Sequence, residues 1–375
     1  MTDSTHTDTS ARVQAGLGRR KLKEAVFRAC GVLATGVGIV FLGMFFVSLI
    51  AQGKSAFFHT YIHLDIELDA DHLLSDGRYE SGNANFDAIV RDGLRRVFPD
   101  VRTRQDLREL NRLVSVGAAY EIQRIVDDDP ALIGRSIAVD VPAAADLDLV
   151  ITGRIDRTLP ESQRPISNTQ LGWVDRLADS NALEQRFNYN LFVNGDSRDP
   201  ELAGVRGALL GSLYMMLVTA LLAVPLGVAA AIYLEEFAPQ NRLTDFVEVN
   251  INNLAAVPSI IFGLLGLAVF IDWFGMPRSA PLVGGLVLSL LTLPIVIIAA
   301  RASIRSVPQS IRDGAFALGA SRMQVVFDHV MPQALPGILT GAIIGLARAL
   351  GETAPLLMIG MVAFIVDVPE RITDP

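Results

Sequence analysis

The sequence predicts an all-α polytopic membrane protein with one α+β domain inserted outside the lipid. Three observations point there. Of the 375 residues, 51% are apolar and 19% charged, with a mean hydropathy of +0.39, a balance outside the soluble class. The apolar residues gather into five runs, each long enough to cross about 30 Å of hydrocarbon at about 1.5 Å per residue. The charge is unevenly spread: residues 53–205 hold 17 Lys and Arg against 26 Asp and Glu (net −9), and the rest of the chain holds 15 against 14.

Residues 1–24 are a polar tail ending in Arg19, Arg20, Lys21 and Lys23; this basic flank puts the N-terminus in the cytoplasm. Residues 25–52 are the first transmembrane helix. Their apolar core is longer than a signal peptide's and lacks a small-residue cleavage site, so the helix is retained. The acidic block 53–205 is too charged for lipid and reads as a folded extracytoplasmic domain. Alternation in "YIHLDIEL" and "ADLDLVITG" predicts strands, and "RQDLRELNRLVSVGAAYEIQRIV" has the spacing of one amphipathic helix. Four further spans, at 207–233, 247–274, 281–304 and 335–366, make a membrane core over 206–366. Starting inside, they leave the loops 235–246 and 305–334 in the cytoplasm. Arg301, Arg305, Arg312 and Arg322 agree with that orientation. The odd span count leaves 367–375 outside.

Several chemistries are excluded. Cys30 is the only cysteine, so the chain builds no internal disulfide and no thiolate metal site. His6, His59, His63, His72 and His329 show no ligand-type clustering and read as solvated. No GxxxxGK[ST] occurs, so ATP binding is not predicted. No nucleophile and base stand at useful spacing, which removes an intramembrane enzyme, and no cofactor, metal or nucleic acid is implied. Gly207 and Gly211 form a GxxxG that suggests a close helix contact, and Pro225, Pro258 and Pro294 are expected to kink their spans.

The stretch "DGAFALGASRMQVVFDHVMPQALPG" (313–337) is charged yet lies between two of the most apolar runs. Phe316, Met323, Val326 and Phe327 fall on an amphipathic face, Gly319 permits a sharp turn, and Pro332 and Pro336 are expected to break the helix before the next span. The plain alternative is an ordinary surface loop. The spacing favours another reading: Asp313, Gly314 and Ala315, then Gly319, then Pro332, resemble the EAA loop of ABC importer permeases. Asp313 stands for the usual Glu, Gly314 for the first Ala, His329 for Ile and Met331 for Leu. In that family the loop docks on the ATPase subunit.

"NRLTDFVEVNINNLAAVPSIIFGLLGLAVF" (241–270) and "ARALGETAPLL" (347–357) resemble the A-type permease subunit of the phosphate-specific transport (Pst) importer, over roughly 205–366. The resemblance implies the type I ABC importer permease fold and phosphate uptake across the bacterial inner membrane. It also implies a homodimeric ATPase, a second permease subunit and an extracytoplasmic phosphate-binding protein as partners, within membrane lipid. Members have six spans, so a final span is expected to be missing here.

Arg348 and Glu352 lie four apart in an apolar stretch, on one helical face, where an uncompensated charge costs about 2.5–3.5 kcal/mol or more. A self-neutralising structural pair is one reading. The resemblance implies the other, a pathway in which Arg348 offers paired donors to a phosphate oxyanion, with Glu352 and Thr353 beside it. A membrane-anchored sensor with a ligand-binding outer domain is the competing function. It explains 53–205 but neither the EAA-type loop nor the Arg348–Glu352 pair. The acidity of 53–205 argues against a phosphate site there.

Overall fold

In a computed structural model of the chain, residues 4–75, 78–361 and 368–374 are described, and they divide into two units, Met1–Asn188 and Tyr189–Pro375. Residues 362–366 of the expected last span lie outside the described residues.

In the first unit, helix α1 (Ser4–Gly53) runs through the polar tail as well as the expected span, and Gly18–Phe57 is long and apolar enough to cross a bilayer. After it, β1 (Phe58–Glu67) forms the centre of a three-stranded antiparallel sheet in the order β2-β1-β3, with β2 Ser136–Pro142 and β3 Leu183–Phe187. The two-residue period buries Ile62, Leu64 and Ile66, with Ile62 opposite Val141 and Leu64 opposite Val139. Helices α2 (Phe86–Val97), α3 (Arg104–Asn111), α4 (Gly117–Asp128), α5 (Ala145–Ile151) and α6 (Asn168–Asp179) complete the domain. Ile89, Leu94, Ile122, Val126, Trp173 and Leu177 close its core. The starts of these helices are chemically marked: Asn85 caps α2, Thr103 caps α3, and Ser167 with Gln170 forms a capping box on α6. On the sheet, burial opposes ionisation of Asp140, but hydrogen bonds from His63 and Arg186 outweigh it and hold the carboxyl below the usual range.

Three expectations for this domain are corrected. "ADLDLVITG" is helical, not extended: Leu147 and Val150 are buried three residues apart, and Asp148 accepts from the backbone and hydroxyl of Thr60 at 2.8 and 2.6 Å. The predicted single helix over 104–126 is two, because the backbone between them bonds elsewhere. Ser115 N–H donates to Pro142 and Ala144 N–H to Leu113, which ties the break to the end of β2. His59 is buried, with Nε2 3.0 Å from the Ala143 carbonyl.

The second unit begins at Tyr189, ahead of the boundary expected at 205: Val205 N–H donates to Leu191, so this stretch folds back on itself. It contains α7 (Arg206–Ile232), α8 (Arg242–Ala255), α9 (Ser259–Gly266), α10 (Pro281–Ser306), α11 (Gln309–Ala317), α12 (Met331–Leu350) and the short α13 (Ala354–Met358). Among the described residues, Arg206–Phe237, Pro281–Ser306 and Arg322–Leu350 are long and apolar enough to span.

The expected span 247–274 is not straight. α8 and α9, the latter extended by a π-helical turn Leu267–Trp273, meet at a bend of 100°. Pro258 disfavours helical backbone at Val257 before it, so α8 ends there although the apolar run continues. The expected span 335–366 also breaks: the end of α12 tightens to three-residue bonds, Gly351 N–H to Arg348 and Glu352 N–H to Ala349, and Pro355 opens α13. Pro332 and Pro336 do not break their helix. A π-helical turn, Val325–Val330, precedes Pro332, which falls in the first turn of α12 where a missing N–H is tolerated. Pro225 and Pro294 likewise sit within continuous helices.

Gly211 of the expected pair makes no close approach, and tight packing is found at glycines of other helices. A Cβ on Gly211 would meet nothing within 4 Å, whereas one on Gly263 would lie 2.7 Å from the Pro355 backbone and one on Gly285 2.6 Å from Val218. Gly263 thus lets the two broken elements touch. Gly263→Ala is expected to destabilise the protein by about 1–3 kcal/mol through overpacking; Gly211→Ala is expected to be neutral or stabilising by up to about 1 kcal/mol. Thermal midpoints of both variants in one detergent decide this, and equal midpoints would contradict the packing.

Candidate functional site

The segment 309–330 has two faces. The turn after α11 passes through Gly319, whose φ of +82° suits glycine, and a capping box of Ser321 with Gln324 starts the next helix at Arg322. The bend expected at Gly319 is present as two short helical pieces. Ala315, Val325 and Val330 pack inward against Ala300, Ile304, Val307 and Ile338. Phe316, Met323 and Phe327 are exposed, and Leu318 is 90% exposed. Val326, expected on that outer face, is buried instead. Of the residues singled out by spacing, Asp313, Gly314, Gly319 and Pro332 are exposed and Ala315 is buried. Asp313 accepts from Gln309 at 3.1 Å.

The sequence reading missed what fastens this segment. α7 ends in a π-helical turn, Tyr233–Phe237, that presents Glu235 and Glu236. Arg301 and Arg305 of α10 both bind Glu235, at 2.6 and 2.8 Å, and Arg301 also pairs with Glu248 of α8. Arg312 of α11 donates to Glu236 at 2.8 Å and to the carbonyls of Val307 and Ile304 at 2.6 and 2.9 Å. The Arg312 and Glu236 side chains are 11% and 10% exposed. Arg322 lies over the Phe237 ring at 5.5 Å. A cleft of about 620 Å³ opens beside these groups. Two adjacent glutamates closing an apolar run, "YLEEF", were the available signal. Removing one partner of a nearly buried pair costs about 3–5 kcal/mol, and the carbonyl bonds retained by Arg312 put Glu236→Gln at about 3. Limited trypsin digestion is expected to cut the variant faster after Arg312 and Arg322, and unchanged protection would contradict the strut.

The Arg348–Glu352–Thr353 group sits at the break after α12. Arg348 Nε lies 3.5 Å from Glu352 Oε1, so the two side chains are close although Glu352 stands beyond the helix end and not on its face. Arg348 is 54% exposed at the side chain and Glu352 19%; Thr353 is exposed. Among the described residues no cluster of three metal-ligating side chains occurs.

The second unit thus combines broken and continuous apolar helices with a bipartite surface segment clamped by arginines. Residues 203–369 match the family described as binding-protein-dependent transport system inner membrane component. Residues 14–161 match a domain of unknown function, DUF3333. Among curated relatives, the probable ABC transporter permease protein YqgI of Bacillus subtilis is 38% identical over 41% of this chain and 52% of its own length. The phosphate transport system permease protein PstA 1 of Mycobacterium tuberculosis is 39% identical over 42% of this chain and 51% of its own length. PstA of Haemophilus influenzae is 33% identical over 45% and 59%. The chain thus spans about half of each of these proteins.

Proposed function

We propose that the protein is the permease subunit of an ATP-driven importer carrying inorganic phosphate into the cytoplasm, with ATP hydrolysis in a separate partner. The observation that carries the reading is the segment 309–330. Its inner face is locked to α7, α10 and α12, while Phe316, Leu318, Met323 and Phe327 stand bare on the other. Apolar side chains presented so by a folded segment suit docking on another protein, and the ATPase is the partner that the family supplies. Asp313, Gly314, Ala315, Gly319 and Pro332 mark this coupling segment. The relatives named as phosphate permeases give the cargo. The N-terminus lies in the cytoplasm, and a second permease subunit and an outer phosphate-binding protein complete the importer. Exposed leucines every four residues along α7, from Leu209 to Leu221, suit lipid.

The pathway is assigned to Arg348, Glu352 and Thr353, where α12 has broken and the half-exposed guanidinium has one weak ion pair. Discontinuous helices gather at transport sites because their ends free polar groups within the membrane. Phosphate uptake, read with radiolabel in cells without other phosphate carriers, tests both parts.

Gly319→Val forces a β-branched residue into left-handed backbone. It is expected to leave insertion intact and to abolish both ATPase co-purification and uptake; normal assembly with normal uptake would sink the docking role. Arg348→Gln is expected to abolish uptake. The exchanged pair, Arg348→Glu with Glu352→Arg, is expected to restore normal folding without uptake. Recovered uptake in the exchanged protein would show a structural pair only.

A further inference from the structure

The outer domain is acidic as a whole, and its net charge of −9 argued against an anion site anywhere within it. Its arginines are nevertheless concentrated: residues 91–112 hold seven Arg against four Asp and Glu. Arg91 and Arg95 lie one turn apart on α2, and Arg104 and Arg108 one turn apart on α3. All four line a single cleft of about 370 Å³, together with His72 and Asp92. Asp92 is the one carboxylate on that lining, and it is already engaged by Arg95 at 3.1 Å and His72 at 3.3 Å. Arg91, Arg104 and Arg108 have no ion pair among the described residues.

Like charges four residues apart on a helix repel. Here two such pairs face the same cleft, in a domain with 26 carboxylates that could have been placed against them. We infer that this cleft binds a multiply charged phosphate oxyanion, either free or on a lipid headgroup. Each guanidinium offers two parallel donors that match adjacent oxygens of such a group, and the cleft volume lies in the small-ligand range of about 300–1,000 Å³. An acidic protein face fits less well. None of Asp100, Asp106 and Glu109 lines the cleft, so its charged lining is the four guanidiniums with Asp92 and His72. The inference is independent of the permease reading, because its residues lie outside 203–369.

The test uses the full chain in nanodiscs of neutral phosphatidylcholine, with radiolabelled pyrophosphate and inorganic phosphate in equilibrium dialysis. Saturable binding is expected, weakening as salt rises from roughly 0.05 to 0.5 M. Arg91→Gln with Arg108→Gln is expected to weaken it by roughly tenfold or more without lowering the thermal midpoint, since repulsion is removed. Arg104→Gln, on the facing helix, is expected to act in the same direction. Discs doped with phosphatidylglycerol separate the sources. A fall in pyrophosphate affinity that the double variant lacks puts the headgroup in the cleft, and an unchanged affinity assigns a soluble oxyanion. No saturable binding up to about 1 mM, or equal binding by parent and double variant, overturns the inference. Binding lost in Arg348→Gln but kept in the double variant also overturns it, while leaving the permease reading intact.

Discussion

Helices in lipid gain nothing from hiding apolar surface, because the tails around them are as apolar as leucine, so they hold together only where their backbones come close. In the second unit that constraint falls on α10. Its own Gly284 and Gly285 admit Met215 and Val218 of α7. Gly227 of α7 admits Val296, and Gly341 and Gly345 of α12 admit Ala299 and Thr292. With its neighbours fixed at that range, the C-terminal end of α10 delivers Arg301 and Arg305 to Glu235 and Glu248, and the chain just beyond it delivers Arg312 to Glu236. The ion pairs therefore depend on the glycines. A side chain at Gly285 or Gly227 would widen the helix spacing before it altered any charge.

The parts legible in the sequence were those set by composition along the chain. Long apolar runs marked the helices of membrane-crossing length, and Gly319 marked the bend at 319. Alternation gave β1, where every second residue meets the core. Information carried by the backbone was hidden. The run 247–274 has uniform hydropathy, but Val257 cannot remain helical ahead of Pro258, so the bend leaves no trace in a hydropathy average. Conversely Pro332 looked like a stop and was not, because a π-helical turn just before it absorbs the irregularity. Leu147 and Val150 show the limit of alternation over short stretches: Asp146 and Asp148 satisfied a two-residue period with Leu147 and Leu149, and the bond from Thr60 to Asp148 accompanies a helix instead.

Contacts across 60 residues or more were also illegible. Glu235 with Arg301, and Glu236 with Arg312, are adjacent only after α7 and α10 have packed, and nothing local marks them except the doubled acid. The candidate pathway was easier to see, since Arg348 and Glu352 are near in sequence and conspicuous in an apolar setting. Their close approach was anticipated correctly, but not the helix end between them. In residues 53–205 a net charge of −9 averages over a stretch of opposite sign on two neighbouring helices.

The survival of the helix through Pro332 and Pro336 has a mechanical consequence. Arg322–Leu350 is one uninterrupted member of 29 residues, about 43 Å long at about 1.5 Å per residue. The bend at Gly319 borders one end and Arg348 stands at the other. A lever of that length has gain: tilting it by about 5° around one end carries the far end through roughly 4 Å, more than the width of one oxygen atom. A hinge at Pro332 would have dissipated such a tilt within the first turn. The stiff rod transmits it, so a small rotation at the segment near Gly319 reaches the Arg348 end as a shift of roughly 4 Å.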